Sequence, residues 1–139
     1  MRVVIDTGVL VSAAIRDRLP ESVILWCVAQ PDLEWLVTPE IIDEYIDVVN
    51  RPKFKLSSAV IARWLDLLSR RTRMIQPTVE IHFPRDRKDA RFLICAESGR
   101  ADALITGDGD FSEARPLIGA PIMNVREFAE RFAPELIAA

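Results

Sequence analysis

Several residue types that carry common enzyme chemistries are scarce in this chain of 139 residues. The single histidine is His82, which we interpret as a surface or packing residue, so no Cys, His or Ser–His arrangement offers a catalytic chemistry. The two cysteines, Cys27 and Cys95, each lie in an apolar helical pattern. We therefore expect buried thiols in a reducing cytoplasm, and neither a disulfide nor a zinc site.

The chain also lacks long apolar runs and an excess of positive charge. No run approaches the roughly 20 residues of a membrane span, and Met1-Arg2-Val3 leads into structure without a signal-peptide pattern. Taken over the whole chain, the net charge of −3 argues against a nucleic-acid-binding protein. Basic residues are nevertheless clustered at 51–55, 70–73 and 85–91, and each cluster is either a solvated face or a surface for a polyanion.

Apolar residues make up 50% of the sequence, which is ample for the core of one domain covering residues 1–139. Short β-branched or apolar runs predict strands at 2–6, 33–38, 103–106 and 121–123, with a further short strand at 74–75. Helical patterns fall between them, at about 9–15, 21–30, 39–50, 58–71, 89–98 and 125–131. This alternation predicts an α/β fold with a central, mostly parallel sheet of four to five strands and helices on both faces.

Capping residues mark several of these helix ends. Thr38, followed by Pro39, is typical of a helix start, as are Ser57 or Ser58 for the next helix and Asn124 for the last. Gly99 is typical of a C-terminal stop. The helix before it begins at Asp86 or at Asp89.

Acidic residues follow two of the predicted strands. Asp6 ends the first strand, and an acid at the end of a buried apolar strand needs a partner. Asp108 and Asp110 follow the strand at 103–106, where we expect two glycines to let the backbone turn sharply. Because ligands of open α/β folds bind at the carboxyl ends of the strands, we expect these acids to share one edge.

Glu44 and Asp89 lie on helices that are entered from the same edge, although Glu44 alone fits an exposed helix position and Asp89 alone fits a helix cap. Carboxylates crowded together repel one another unless cations neutralise them. Oxygen-only ligands favour Mg²⁺ or Mn²⁺, and two such ions about 4 Å apart suit attack of water on a phosphodiester.

Five segments in this order resemble the motifs of PIN-domain ribonucleases: residues 4–13, 38–45 with 51–54, 86–93 with Ala96, 103–111 and 121–128. The second is similar to that of the VapC-like toxins of toxin–antitoxin systems. The resemblance implies a three-layer PIN fold and a metal-dependent endoribonuclease with one or two Mg²⁺ or Mn²⁺ ions. Carried over by position, the resemblance implies that four acids are catalytic and bind the metal, namely Asp6, Glu44, Asp89 and Asp108. It also implies that Asp110 is an accessory metal-site acid and that Thr7 supplies a supporting hydroxyl.

The resemblance further implies an RNA substrate, a small antitoxin partner and a homodimer. We assign RNA contacts to the basic residues that flank two acidic motifs, Arg51, Lys53, Arg85, Arg87 and Lys88. The sequence departs from the family at Gly8, where the family usually has Asn. This difference favours an alternative function, that of a catalytically weak or inactive PIN scaffold that binds protein or RNA. Another magnesium-dependent phosphoryl enzyme or a receiver domain is a further alternative, but the late strands lack the Lys that a receiver requires.

Overall fold

A computed structural model describes residues 1–83 and 87–138, except for the side chains of Arg87, Lys88 and Asp110. The predictions for Arg85 and Asp86, and for those three side chains, therefore lie outside the described residues.

The described part of the chain contains a five-stranded parallel sheet with helices packed around it, which confirms the predicted α/β class. The order in the sheet is β3-β2-β1-β4-β5, so the first strand is central. Its residues Val3, Val4 and Ile5 have no exposed surface, as expected for a parallel strand covered on both faces. The strands are β1 (Arg2–Ile5), β2 (Glu34–Val37), β3 (Thr72–Met74), β4 (Ala103–Ile105) and β5 (Ile122–Met123).

The helices lie close to their predicted positions. They are α1 (Thr7–Ala14), α2 (Arg18–Ala29), α3 (Pro39–Val49), α4 (Ser58–Arg71), α5 (Arg87–Ser98) and α6 (Val125–Phe132), with 3₁₀ segments at Pro52–Phe54, Gly109–Leu117 and Pro134–Leu136. Thr38 and Ser57 accept the expected capping hydrogen bonds, and Asn124 forms a capping box with Glu127. The second helix begins earlier than predicted, because α2 starts at Arg18 and not at residue 21, with Pro20 in its first turn, where proline is tolerated.

The glycines of the fold have ordinary backbone conformations. Among the described residues no glycine has a positive φ, so the turn after β4 is made without the left-handed conformation. Gly99 directly follows the end of α5, as predicted, and the left-handed residue is its neighbour Arg100, with φ 50°. A Cβ at Gly99 would lie 2.9 Å from Cδ1 of Ile75 and closer still to Cδ1 of Leu36, so a larger residue there requires these two side chains to shift.

Both cysteines are buried free thiols, as predicted, and burial raises the pKa of each to about 12. In the part of the chain that the structure describes, no helix combines the length and the apolar character needed to cross a membrane.

Candidate active site

Asp6 follows β1 at the carboxyl edge of the sheet, and its carboxylate is largely buried. Its backbone N–H donates to the carbonyl of Ile105 at 2.9 Å, and the Thr106 hydroxyl donates to its Oδ2 at 3.0 Å. The same Thr106 oxygen accepts the backbone N–H of Asp108 at 3.0 Å. Thr106 therefore links two of the predicted acids, a role that the sequence analysis missed although a polar residue ending an apolar strand is a signal for it.

Glu44 lies in α3, and its side chain is only 15% exposed. Its Oε2 accepts a hydrogen bond from the Thr7 hydroxyl, at the start of α1. Its Oε1 lies 3.1 Å from Nη1 of Arg91, on α5. Glu44 is thus held by groups from two other helices, and Thr7, predicted as a supporting hydroxyl, lies against this carboxylate.

Tyr45 fixes the helix that carries Glu44 to the strand that ends at Asp6. Its hydroxyl donates to the carbonyl of Ile5 and accepts the Trp35 Nε1–H at 3.4 Å. Complete burial raises the pKa of Tyr45 well above its ordinary value, so the hydroxyl keeps its proton. This role of Tyr45 could not be predicted from the sequence, because its partners Ile5 and Trp35 lie on two other segments of the chain.

The pKa of Asp6 shows that these acids affect one another. Burial is the largest cause of its rise from 3.8 to about 6, and the negative charges of Glu44 and Asp108 raise it further, against the lowering effect of the Thr106 hydrogen bond. Carboxylates from three segments are therefore close enough to interact, and carboxylate oxygens are the donors that hard divalent cations prefer.

The acids whose side chains the structure describes do not form a closed set of ligands. Within the described residues, no three His, Cys, Asp or Glu side chains are grouped closely enough to hold one metal ion. Asp89 is buried in the first turn of α5, two residues before Arg91, on a helix that packs against β1, β4 and α3. Asp110, the predicted accessory acid, lies outside the described side chains.

A cavity of about 410 Å³ opens beside Asp6 and Asp108. Its other walls come from α1, from Pro20 and from the start of α6. Gly8 lies at its border, since a Cβ there would be 3.4 Å from Oδ2 of Asp6. The cavity gives a ligand access to the carboxylates from solvent.

Two of the predicted RNA-contacting residues have partners within the chain. Nη2 of Arg51 lies 2.8 Å from Oδ2 of Asp47, and both side chains are exposed. The Lys53 ammonium lies 5.1 Å from the ring centroid of Phe54. Both residues lie shortly after the end of α3. Arg85 and the side chains of Arg87 and Lys88 lie outside the described part of the structure.

A family model of the PIN domain matches residues 2–110. VapBC2 from Rickettsia felis, in a crystal structure bound to a DNA fragment from their promoter, is similar at a TM-score of 0.62 and 13% identity, over 89% of this chain and 98% of that chain. VapBC-1 from nontypeable Haemophilus influenzae is similar at a TM-score of 0.60 and 18% identity, over 91% and 99%. No curated protein matches the sequence.

Proposed function

The chain belongs to the PIN-domain family, and from this premise we propose that it is a Mg²⁺- or Mn²⁺-dependent endoribonuclease. The observation that carries the proposal is the group of interacting carboxylates at the carboxyl edge, where Glu44 and Asp108 raise the pKa of the buried Asp6. Buried acids that destabilise one another are typical of functional sites. We further propose that residues 1–139 form one domain.

The donor set of the site fits a hard divalent cation, because the interacting side chains supply only carboxylate oxygens. We assign its binding to Asp6, Glu44, Asp89 and Asp108, with Asp110 as a further acid. When bound, such an ion activates water and stabilises negative charge on a phosphodiester.

The side chains around the acids have positioning roles in this proposal. The Thr106 hydroxyl orients Asp6 by donating to its Oδ2. Thr7 and Arg91 hold Glu44 at one end of α3, and Tyr45 fixes that helix to β1. The cavity beside Asp6 and Asp108 admits the substrate, and we assign contacts with RNA phosphates to Arg51, Lys53, Arg85, Arg87 and Lys88.

We propose that the biological role is that of a cytoplasmic toxin of a type II toxin–antitoxin system, with a small antitoxin as partner and a homodimer as assembly. Two features support this role: the likeness of the segment at 38–45 to VapC-like toxins, and the fold shared with two VapBC structures.

The test is cleavage of a mixed RNA pool with Mg²⁺ or Mn²⁺, comparing the wild type with Asp6→Asn. Asp43→Asn is the matched control, because Asp43 is an exposed acid beside Glu44 on the same helix. We expect metal-dependent cleavage by the wild type and the control, and none by Asp6→Asn. Equal cleavage by all three proteins would contradict the proposed site.

A second candidate function is a catalytically weak PIN scaffold that acts through binding. Gly8 favours it, because it places no side chain beside Oδ2 of Asp6, as does the absence of a closed ligand set among the described residues. Gly8 lies in a helix with an ordinary φ, so Gly8→Asn is compatible with the backbone. A weak site predicts that Gly8→Asn increases RNA cleavage several-fold, whereas an unchanged rate would argue against this explanation.

A further inference from the structure

Arg91 brings a positive charge into the group of candidate metal ligands. Its Nη1 lies 3.1 Å from Oε1 of Glu44, and its Nη2 lies 3.6 Å from Oε1 of Glu40. Its side chain is 20% exposed, so solvent screens these contacts less than it screens a surface ion pair. The Arg91 guanidinium therefore neutralises Glu44 from within the fold.

Both carboxylate oxygens of Glu44 have partners in the structure. The Thr7 hydroxyl donates to Oε2, and Nη1 of Arg91 forms an ion pair with Oε1. Thr7 is neutral and is compatible with a cation on the same carboxylate. Arg91 is not compatible with a cation on the same carboxylate, because a guanidinium and a divalent ion there repel each other.

The hydrogen bonds of Arg91 are incomplete in this position. Its Nε is buried and has no acceptor among the described residues. A purely structural arginine in a packed interface normally satisfies its buried N–H groups, because an unsatisfied donor is costly. Its contacts with Glu44 and Glu40 therefore leave Arg91 incompletely satisfied in this position.

We propose that Arg91 is a positioning residue that competes with the divalent ion for Glu44. It holds and neutralises the carboxylate when the ion is absent, and it releases Oε1 when the ion binds. This inference rests on the proposed function, since it takes Glu44 to be a metal ligand. It assigns to Arg91 an effect on metal affinity that a structural ion pair does not have.

The experiment is calorimetric titration of Mn²⁺ into the wild type, Arg91→Met and Arg91→Lys. Methionine keeps much of the length of the side chain without its charge, so we expect Arg91→Met to bind Mn²⁺ at least tenfold more tightly. Lysine keeps the charge, so we expect Arg91→Lys to stay within about threefold of the wild type. Unchanged or weaker binding by Arg91→Met would overturn the proposal.

Arg70→Met is the matched control, because Arg70 also pairs with a carboxylate, that of Asp66, but both of these side chains are exposed. We expect its Mn²⁺ affinity to equal that of the wild type, and an equal gain in this variant would overturn the specific role of Arg91. A second readout needs no variant: Mg²⁺ titration followed by the ¹H–¹⁵N signal of the Arg91 Nε group. We expect this signal to shift as the ion binds, and a signal that stays fixed at saturation would contradict release from Glu44.

Two outcomes of the Mn²⁺ titrations distinguish the role of Arg91 from the existence of the proposed metal site. If neither the wild type nor Arg91→Met binds Mn²⁺, the proposed metal site and the role of Arg91 are both wrong. If both bind it equally and Asp6→Asn does not, the metal site stands and only the inference about Arg91 is wrong.

Discussion

The acidic residues at the two ends of the parallel strands lie in different environments. We call the side of the sheet where the strands begin the amino edge, and the side where they end the carboxyl edge. At the amino edge, Glu34 begins β2 and pairs with Arg73 and with Arg2, whose Nε lies 3.5 Å from Oε1. The hydrogen bond from Arg73 is the largest cause of a lowered pKa for Glu34. At the carboxyl edge, burial and neighbouring acids raise the pKa of Asp6 to about 6. At the amino edge the acid is paired with arginines that are exposed to solvent, whereas at the carboxyl edge Asp6 is buried near other carboxylates.

The difference between the two edges indicates the position of the candidate active site better than either edge does alone. Exposed ion pairs such as that of Glu34 contribute little to stability and need no further explanation. A buried carboxylate with raised pKa destabilises the folded protein at neutral pH, so it indicates a ligand that compensates for the cost. The comparison predicts that changes at the carboxyl edge alter activity and pH dependence, while equivalent changes at the amino edge do not.

The largest expected effect is on catalysis. Glu44→Gln removes a proposed metal ligand, and we expect RNA cleavage to fall about 100-fold or more, since changes even in residues behind metal ligands cost roughly 10- to 100-fold. Glu34→Gln is the corresponding change at the amino edge and should leave the cleavage rate unchanged. Similar losses from both substitutions would remove the distinction between the edges.

Tyr45→Phe tests the connection between α3 and β1. The substitution deletes the hydroxyl that donates to Ile5 and leaves the Trp35 N–H without its acceptor. We expect a loss of about 1–3 kcal/mol in the free energy of unfolding, measured by urea denaturation. Because Tyr45 adjoins Glu44, we also expect weaker Mn²⁺ binding. A fully stable variant would show that this connection is not important.

The pH dependence of stability tests the burial of Asp6. Its pKa is about 6 in the folded protein against 3.8 as the ordinary value, so the folded state binds more protons between these values. The contribution of Asp6 to stability is therefore largest below pH 3.8 and is lost as the pH rises through 6. In chelator, we expect the wild type to lose about 1 kcal/mol more than Asp6→Asn between pH 5 and pH 7. Parallel curves for the two proteins would contradict the raised pKa.

The smallest expected effect lies at the amino edge. Arg73→Gln breaks an ion pair whose arginine side chain is 61% exposed, and we expect a change below about 1 kcal/mol in the free energy of unfolding. That change should shrink further in high salt because exposed charges are screened. A loss as large as that of Tyr45→Phe would mean that the two edges do not differ in the way described.

Local sequence signals predicted much of the fold. Thr38 and Asn124 mark helix starts because their side chains cap the chain within three residues, and β1 is recognisable because its apolar residues are consecutive. The close approach of Gly99 to Leu36 and Ile75 could not be predicted, because both residues are distant from it in sequence. Local patterns carry no record of such a neighbour.

The same limit applies to the candidate site. The positions of the acids follow from the rule that parallel strands share their carboxyl edge. The contacts that hold the acids in place do not follow from this rule. Thr7 is 37 residues from Glu44 in sequence, and Tyr45 is 40 residues from Ile5. The pairing of Arg91 with Glu44 likewise depends on how α5 packs against α3.

Mn²⁺ binding at neutral pH by the wild type, Asp6→Asn and Glu34→Gln decides whether the carboxyl edge is the metal site. If the carboxyl edge holds the metal, the wild type and Glu34→Gln bind the ion with equal affinity, and Asp6→Asn binds it at least tenfold more weakly. Equal binding by all three proteins, or loss of binding in Glu34→Gln alone, would contradict the account.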